Sequence, residues 1–194
     1  FDRVIETSAQ LIGAYGSSPL AKTGYYNTGW AYFETKRYEE SIEAFQALLD
    51  RFPAGFEADR SLFQMGECYL ELERYEEAID VYSELVKRQR IDELTEAELE
   101  QIRREKLAGL VDETALELAA KAQIRVGTCY ARLGKYDEGV EAYRTVIERF
   151  ATERDLVEEA YLQMARLYDD GGNAEAAVAT YREAIRETSD RTLR

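Results

Sequence analysis

Apolar and small residues recur along this chain at offsets of three and four, broken by short polar turns, and the same seventeen-residue string returns four times. It reads GWAYFETKRYEESIEAF at 29–45, GECYLELERYEEAIDVY at 66–82, GTCYARLGKYDEGVEAY at 127–143 and, more loosely, ARLYDDGGNAEAAVATY at 165–181. A small residue opens each copy (Gly29, Gly66, Gly127, Ala165), and a tyrosine follows three places on (Tyr32, Tyr69, Tyr130, Tyr168). A second small residue comes later (Ser41, Ala78, Gly139, Ala177), then an aromatic four places beyond it (Phe45, Tyr82, Tyr143, Tyr181). Offsets of three and four lie on one helix face, so each copy predicts a helical hairpin. Its small residues bring the two backbones close, and its aromatics fill the space beside them.

The breaks between helices fall at TKRYEES, LERYEEA, LGKYDEG and GGNAEAA, where Gly134 and Gly172 can supply left-handed helix ends. Tyr38, Tyr75 and Tyr136 open the second helices, with Ala174 in the fourth copy. Ser18 before Pro19 reads as a helix N-cap followed by proline at the first helical position.

The skeleton resembles the tetratricopeptide repeat, W-x2-L-G-x2-Y…A-x3-F…P. Tyr25, Leu62, Gln123 and Tyr161 stand in place of the tryptophan; Pro53 is kept, while Arg90, Ala151 and Ser189 replace the later prolines. The resemblance implies an all-α, right-handed α-solenoid of stacked helical hairpins, about four units with a partial one before them. The units are placed at 19–53, 58–89, 117–151 and 157–190. Copies start 37, 61 and 38 residues apart (29 to 66 to 127 to 165), a period longer than the family's usual one and similar to repeats in bacterial cell-envelope and assembly proteins. FDRVIETS at 1–8 aligns with YRTVIERF at 143–150, so the chain is expected to begin inside a helix of an earlier repeat of a longer protein.

The wide second spacing marks an insertion within about 89–116. Thr95 and Glu98 form a capping-box pair, and Leu99, Ile102, Leu107 and Leu110 recur at near-helical spacing, which predicts an extra helix or an extension of its neighbours. Two readings stand for it: a packing spacer that covers an edge of the array, or an arm for a partner.

With 194 residues, 45% hydrophobic and only two prolines, the chain has material for a folded helical core. Its 39 acidic against 25 basic residues give a net charge of −14, which argues against binding nucleic acid or anionic lipid. No apolar run approaches the roughly 20 residues a spanning helix needs.

Candidate chemistry is sparse. Without histidine the chain cannot build a Ser-His-Asp or Cys-His nucleophile or a histidine zinc site, and two isolated cysteines do not make a metal centre. No phosphate-binding glycine loop is present, so no cofactor and no metal are expected. Cys68 and Cys129 hold equivalent places in two copies and are expected as free buried thiols, which fits a reducing or shielded environment; the compartment stays open between this and the envelope resemblance. Glu39, Glu40, Glu76, Glu77, Asp137 and Glu138 fall at helix starts, where negative charge complements the dipole, and YDDGGNAE (168–175) reads as a glycine turn rather than a calcium loop.

The resemblance also implies that the first helix of each unit lines a concave face that takes an extended peptide or partner helix. The positions carried over are Thr23, Tyr26, Asn27, Trp30 and Phe33, then Arg60, Phe63, Gln64, Glu67 and Glu71. The later units add Lys121, Ile124, Arg125, Thr128 and Arg132, then Glu159, Leu162, Gln163, Arg166 and Asp170. Lys121 and Arg125 match one pair of the family's carboxylate clamp, whereas Tyr26, Trp30 and Gln64 replace its other members. What remains is an aromatic patch (Tyr26, Trp30, Phe33, Phe63) and a basic one (Lys121, Arg125, Arg132). Trp30 is either an anchor for a partner or a packing residue against the preceding repeat or the segment before Ser18. The reading is a non-enzymatic protein-interaction scaffold within a larger assembly. The rivals are a spacer that self-associates through its ends, near 1–8 and 181–194, and an enzyme using groove carboxylates.

Overall fold

A computed structural model describes residues 1–16, 18–90, 95–108 and 114–192. Among them ten helices follow one another, without a strand: α1 (Asp2–Tyr15), α2 (Pro19–Glu34), α3 (Tyr38–Arg51), α4 (Phe56–Glu71), α5 (Tyr75–Arg88), α6 (Glu96–Leu107), α7 (Ala115–Arg132), α8 (Tyr136–Arg149), α9 (Arg154–Asp170) and α10 (Ala174–Thr192). The all-α hairpin expectation holds. The chain forms two compact units, Phe1–Leu85 and Val86–Arg194. In the first, α2 packs on α1 and α3, and α4 on α3; in the second, α8 packs on α7 and α9, and α10 on α9.

The repeating small and aromatic residues explain this packing. A Cβ added at Gly29 would stand 2.7 Å from the Phe45 ring, one at Gly127 would stand 2.6 Å from Tyr143, and one at Gly66 would overlap the Tyr82 ring. Each glycine is thus the seat of the aromatic on the partner helix, and the second small residue closes the gap: Ser41 Oγ donates to the Gly29 carbonyl at 2.8 Å. Phe45 and Tyr82 are fully buried and Tyr143 nearly so; a ring of that size contributes about 1.5–3 kcal/mol by burial. In the second unit Leu116, Ala120, Ile124, Val146, Phe150, Ala160 and Met164 join Tyr143 in one core.

All four hairpin turns close alike. The residue after the turn donates back to the tyrosine carbonyl (Arg37 to Tyr32, Arg74 to Tyr69, Lys135 to Tyr130, Asn173 to Tyr168; 2.8–2.9 Å), and the residue before it donates to a carbonyl three positions earlier. This Schellman pattern needs a left-handed residue. Gly134 (φ 70°) and Gly172 (φ 78°) supply it as expected, but Lys36 (φ 59°) and Glu73 (φ 58°) do so in the first unit.

Ser18 does occupy the N-cap of α2, with Pro19 behind it, yet its hydroxyl makes no cap bond. The Ala21 N–H that it would satisfy goes to the Ser18 carbonyl instead (3.0 Å), and Ser18 Oγ is buried without a partner.

The insertion carries an extra helix, α6, opened by the expected capping box: Thr95 N–H and Oγ donate to Glu98 Oε2 at 2.8 and 2.6 Å, and Glu98 N–H donates back at 3.3 Å. Ile102 is half-buried; Leu110 and the side chains of Leu99 and Leu107 lie outside the described residues. A second cap was not anticipated. Thr114 Oγ accepts the Glu117 N–H at 3.0 Å and sets the start of α7. No described helix is long and apolar enough to cross a membrane.

Candidate functional site

The candidate residues fall on first helices in two sets, one per unit. In the first unit each aromatic already has a ring neighbour. Tyr26 stands 5.6 Å from Phe45, Phe33 5.6 Å from Tyr38, and Phe63 5.6 Å from Tyr82, all tilted or edge-on, the geometry aromatic quadrupoles prefer. Tyr26, Phe33 and Phe63 are half-buried by these contacts, whereas Asn27 is exposed and Trp30 is 41% exposed. Trp30 lies against Phe1 at 6.0 Å; contact with the segment before Ser18 and an exposed indole occur together. Nothing in the linear pattern ties Phe1 to Trp30.

Polar neighbours fix the rest of this set. The Arg60 guanidinium sits 5.0 Å over the Tyr26 ring, a cation–π contact. Glu67 accepts the Tyr82 hydroxyl at 2.5 Å, Glu71 accepts that of Tyr38 at 3.2 Å, and Gln64 is half-buried. Lys22, next to Thr23 on α2, donates to Glu57 at 2.7 Å and holds that carboxyl below its usual range.

In the second unit Lys121 pairs with Glu117 at 3.1 Å one turn earlier. Arg125, a turn further on, is half-buried near Tyr143, whose phenol is pushed up by burial against the opposing effects of the Thr128 hydroxyl and Arg125. Arg132 and Arg166 are exposed and Gln163 is half-buried. Ile124 is a correction. It is only 2% exposed, because α7 packs against both α8 and α9 and has little free surface at that position. Thr128 turns inward too, donating to the Ile124 carbonyl at 3.1 Å and lying 3.3 Å from the Tyr143 hydroxyl.

Cys68 and Cys129 are free buried thiols. Burial pushes Cys68 up to about 11, and its Sγ lies 3.3 Å from Ser41 Oγ as donor; at neutral pH it is a packing atom, not a nucleophile. No group of three or more potential metal ligands occurs among the described residues.

The family model for the tetratricopeptide repeat matches residues 25–91 and 118–186. The chain belongs to the tetratricopeptide repeat family. Solved structures of such repeats share the fold of this tetratricopeptide chain at low identity. MamA aligns over 98% of this chain and 90% of its own, with a TM-score of 0.63 and 16% identity. YrrB, described as a TPR protein with an unusual peptide-binding site, aligns over 99% and 80% with a TM-score of 0.60 and 20% identity. A putative kinesin light chain of Podosopora anserina with nearly identical TPR-like repeats aligns over 96% and 86%, with a TM-score of 0.63 and 15% identity. No curated protein matches the chain.

Proposed function

We propose that this tetratricopeptide repeat chain is a non-enzymatic scaffold that recruits a protein partner, as a peptide or a helix, through the first helices of its hairpins. Repeats of this family are generally non-enzymatic interaction modules, and the peptide site of YrrB, a neighbour in fold, is in keeping with the reading. One observation carries it: Trp30, the largest apolar side chain here, is left 41% exposed beside Asn27, and tryptophan is enriched among residues that dominate binding energy. Tyr26, Phe33, Phe63, Gln64 and Glu67 extend that surface in the first unit. Lys121, Arg125, Arg132, Gln163 and Arg166 form the set in the second, suited to acidic groups on a partner. A photo-crosslinker at Asn27 should trap a partner that one at Glu43, on α3, does not, and Trp30→Ala with Arg125→Glu should abolish the capture. Trapping that survives the double substitution in a folded protein would sink the reading.

A second reading, self-association through the α10 end, is favoured by an exposed apolar stripe: Val178 (47%), Tyr181 (37%) and Ile185 (65%). The equivalent Val140 and Tyr143 of α8 are buried in the core that α9 completes, and Ile147 packs against it. Mass that rises with concentration, and falls to the monomer in Ile185→Glu, is the expected signature; a monomer at every concentration removes it.

A further inference from the structure

The turn of the second hairpin is held by Arg74. Its guanidinium lies 4.8 Å over the Tyr69 ring, its Nε donates to Glu77 at 2.8 Å, and its Nη1 reaches Glu39 of the preceding hairpin at 3.3 Å. Arg37 does much the same one hairpin earlier, 4.5 Å over Tyr32 and bonded to Glu40. In the repeat register Tyr168 stands where Tyr69 does and Asp137 where Glu39 does, but Asn173 replaces Arg74, Gly171 replaces Leu72 and Ala176 replaces Glu77. The ring and the carboxylate are kept; the guanidinium and its flanking leucine are gone.

A cleft of about 500 Å³ opens there, lined by Lys135, Tyr136, Asp137, Tyr168, Gly171 and Asn173 among others, a volume within the range of small-ligand sites. Tyr136 on its wall is 42% exposed, whereas its counterpart Tyr38 gives its hydroxyl to Glu71. The Asn173 side chain is engaged with the next helix, where its Oδ1 accepts the Ala176 N–H at 3.1 Å and caps α10.

We infer that this cleft receives an arginine side chain from a protein partner, its guanidinium taking over Tyr168 and beside Asp137 the place that Arg74 holds over Tyr69 and beside Glu39. The site lies at the α7–α8 and α9–α10 turns of the second unit, and stands or falls separately from the first-helix set of Lys121, Arg125 and Arg132. Planar guanidinium stacks on a ring and pairs with a carboxylate at once, which ammonium does not. Lys135 on the rim opposes a cation, but Asp137 and Glu138 in the same lining outnumber it, and the chain's charge of −14 draws basic segments toward it.

The test is an NMR titration of the 15N-labelled chain with N-acetyl-arginine-amide, and with N-acetyl-citrulline-amide as its neutral isostere. Saturable shifts confined to Tyr136–Glu138 and Tyr168–Asn173 are expected with the arginine compound, at least severalfold weaker with citrulline, and weakened by salt. Asn173→Arg fills the cleft from within and should erase them. Asp137→Asn leaves the turn backbone unchanged and should weaken them severalfold, so it carries the test if the first variant misfolds. Equal response to citrulline, no localised shift, or shifts undiminished in the folded variants would overturn the assignment.

Discussion

The hairpin turns of the two units close with the same backbone hydrogen bonds and different side chains. In Phe1–Leu85 the left-handed positions are Lys36 and Glu73, and arginines stacked on tyrosines and paired with glutamates brace the turns. In Val86–Arg194 the same positions are Gly134 and Gly172, and Asn173 caps the last helix with no arginine at its place. The turn is therefore interchangeable chemistry around a fixed backbone. What the first three copies share is the seat of an aromatic on a small residue, found at Gly29 with Phe45, Gly66 with Tyr82 and Gly127 with Tyr143.

The constant part should break hardest. Tyr143→Ala should cost about 3–5 kcal/mol, as for other buried aromatics cut to alanine, read as a fall in urea midpoint at unchanged slope. Gly66→Ala and Gly127→Ala, each driving a methyl into a tyrosine ring, should cost about 1–3 kcal/mol in either unit. A much smaller loss in one unit would mean that its seat is loose and the contrast lies in the core after all.

The left-handed positions should respond with opposite sign. Gly134→Ala and Gly172→Ala should lose about 1–2 kcal/mol, the penalty of a side chain in that region. Lys36→Gly and Glu73→Gly should gain about 0.5–1 kcal/mol, since the strain relieved exceeds the added chain entropy. Thermal melts of the four variants give both signs in one experiment.

The repeat was legible because each small residue is coupled in volume to one ring, so neither can drift alone; the α6 capping box was legible because it is local in sequence. Lys36 and Glu73 were not, because tertiary closure holds them where their own preference would not. Aligning them with Gly134 and Gly172 was the available signal. Ile124 misled because the family's position for a groove residue falls, in this α7, on a face that two neighbouring helices cover. The clustering of Trp30 with Phe1 depends on where α1 lies, which no spacing encodes.

The smallest expected effect concerns the turn braces. Hydrogen bonds from Arg37 and Arg74 hold the Glu40 and Glu77 carboxyls below their ordinary range. A lowered folded value contributes stability that is full above the unfolded value, near 4.5, and is lost as pH falls through the folded one. Amide exchange at the turns of α3 and α5 should therefore quicken relative to the helix interiors below that pH. High salt should mute the difference, since these pairs face solvent; turns indifferent to acid would reduce the braces to ornament.

The two thiols stand one in each unit, Cys68 beneath α3 and Cys129 within α7, both fully covered. Covered sulfur meets a reagent only when its surroundings open, so each cysteine is a clock for its own half of the chain. Equal labelling rates across a denaturant series would make the chain a single cooperative block. Unequal rates would name the half that opens first, without a probe being added to the protein.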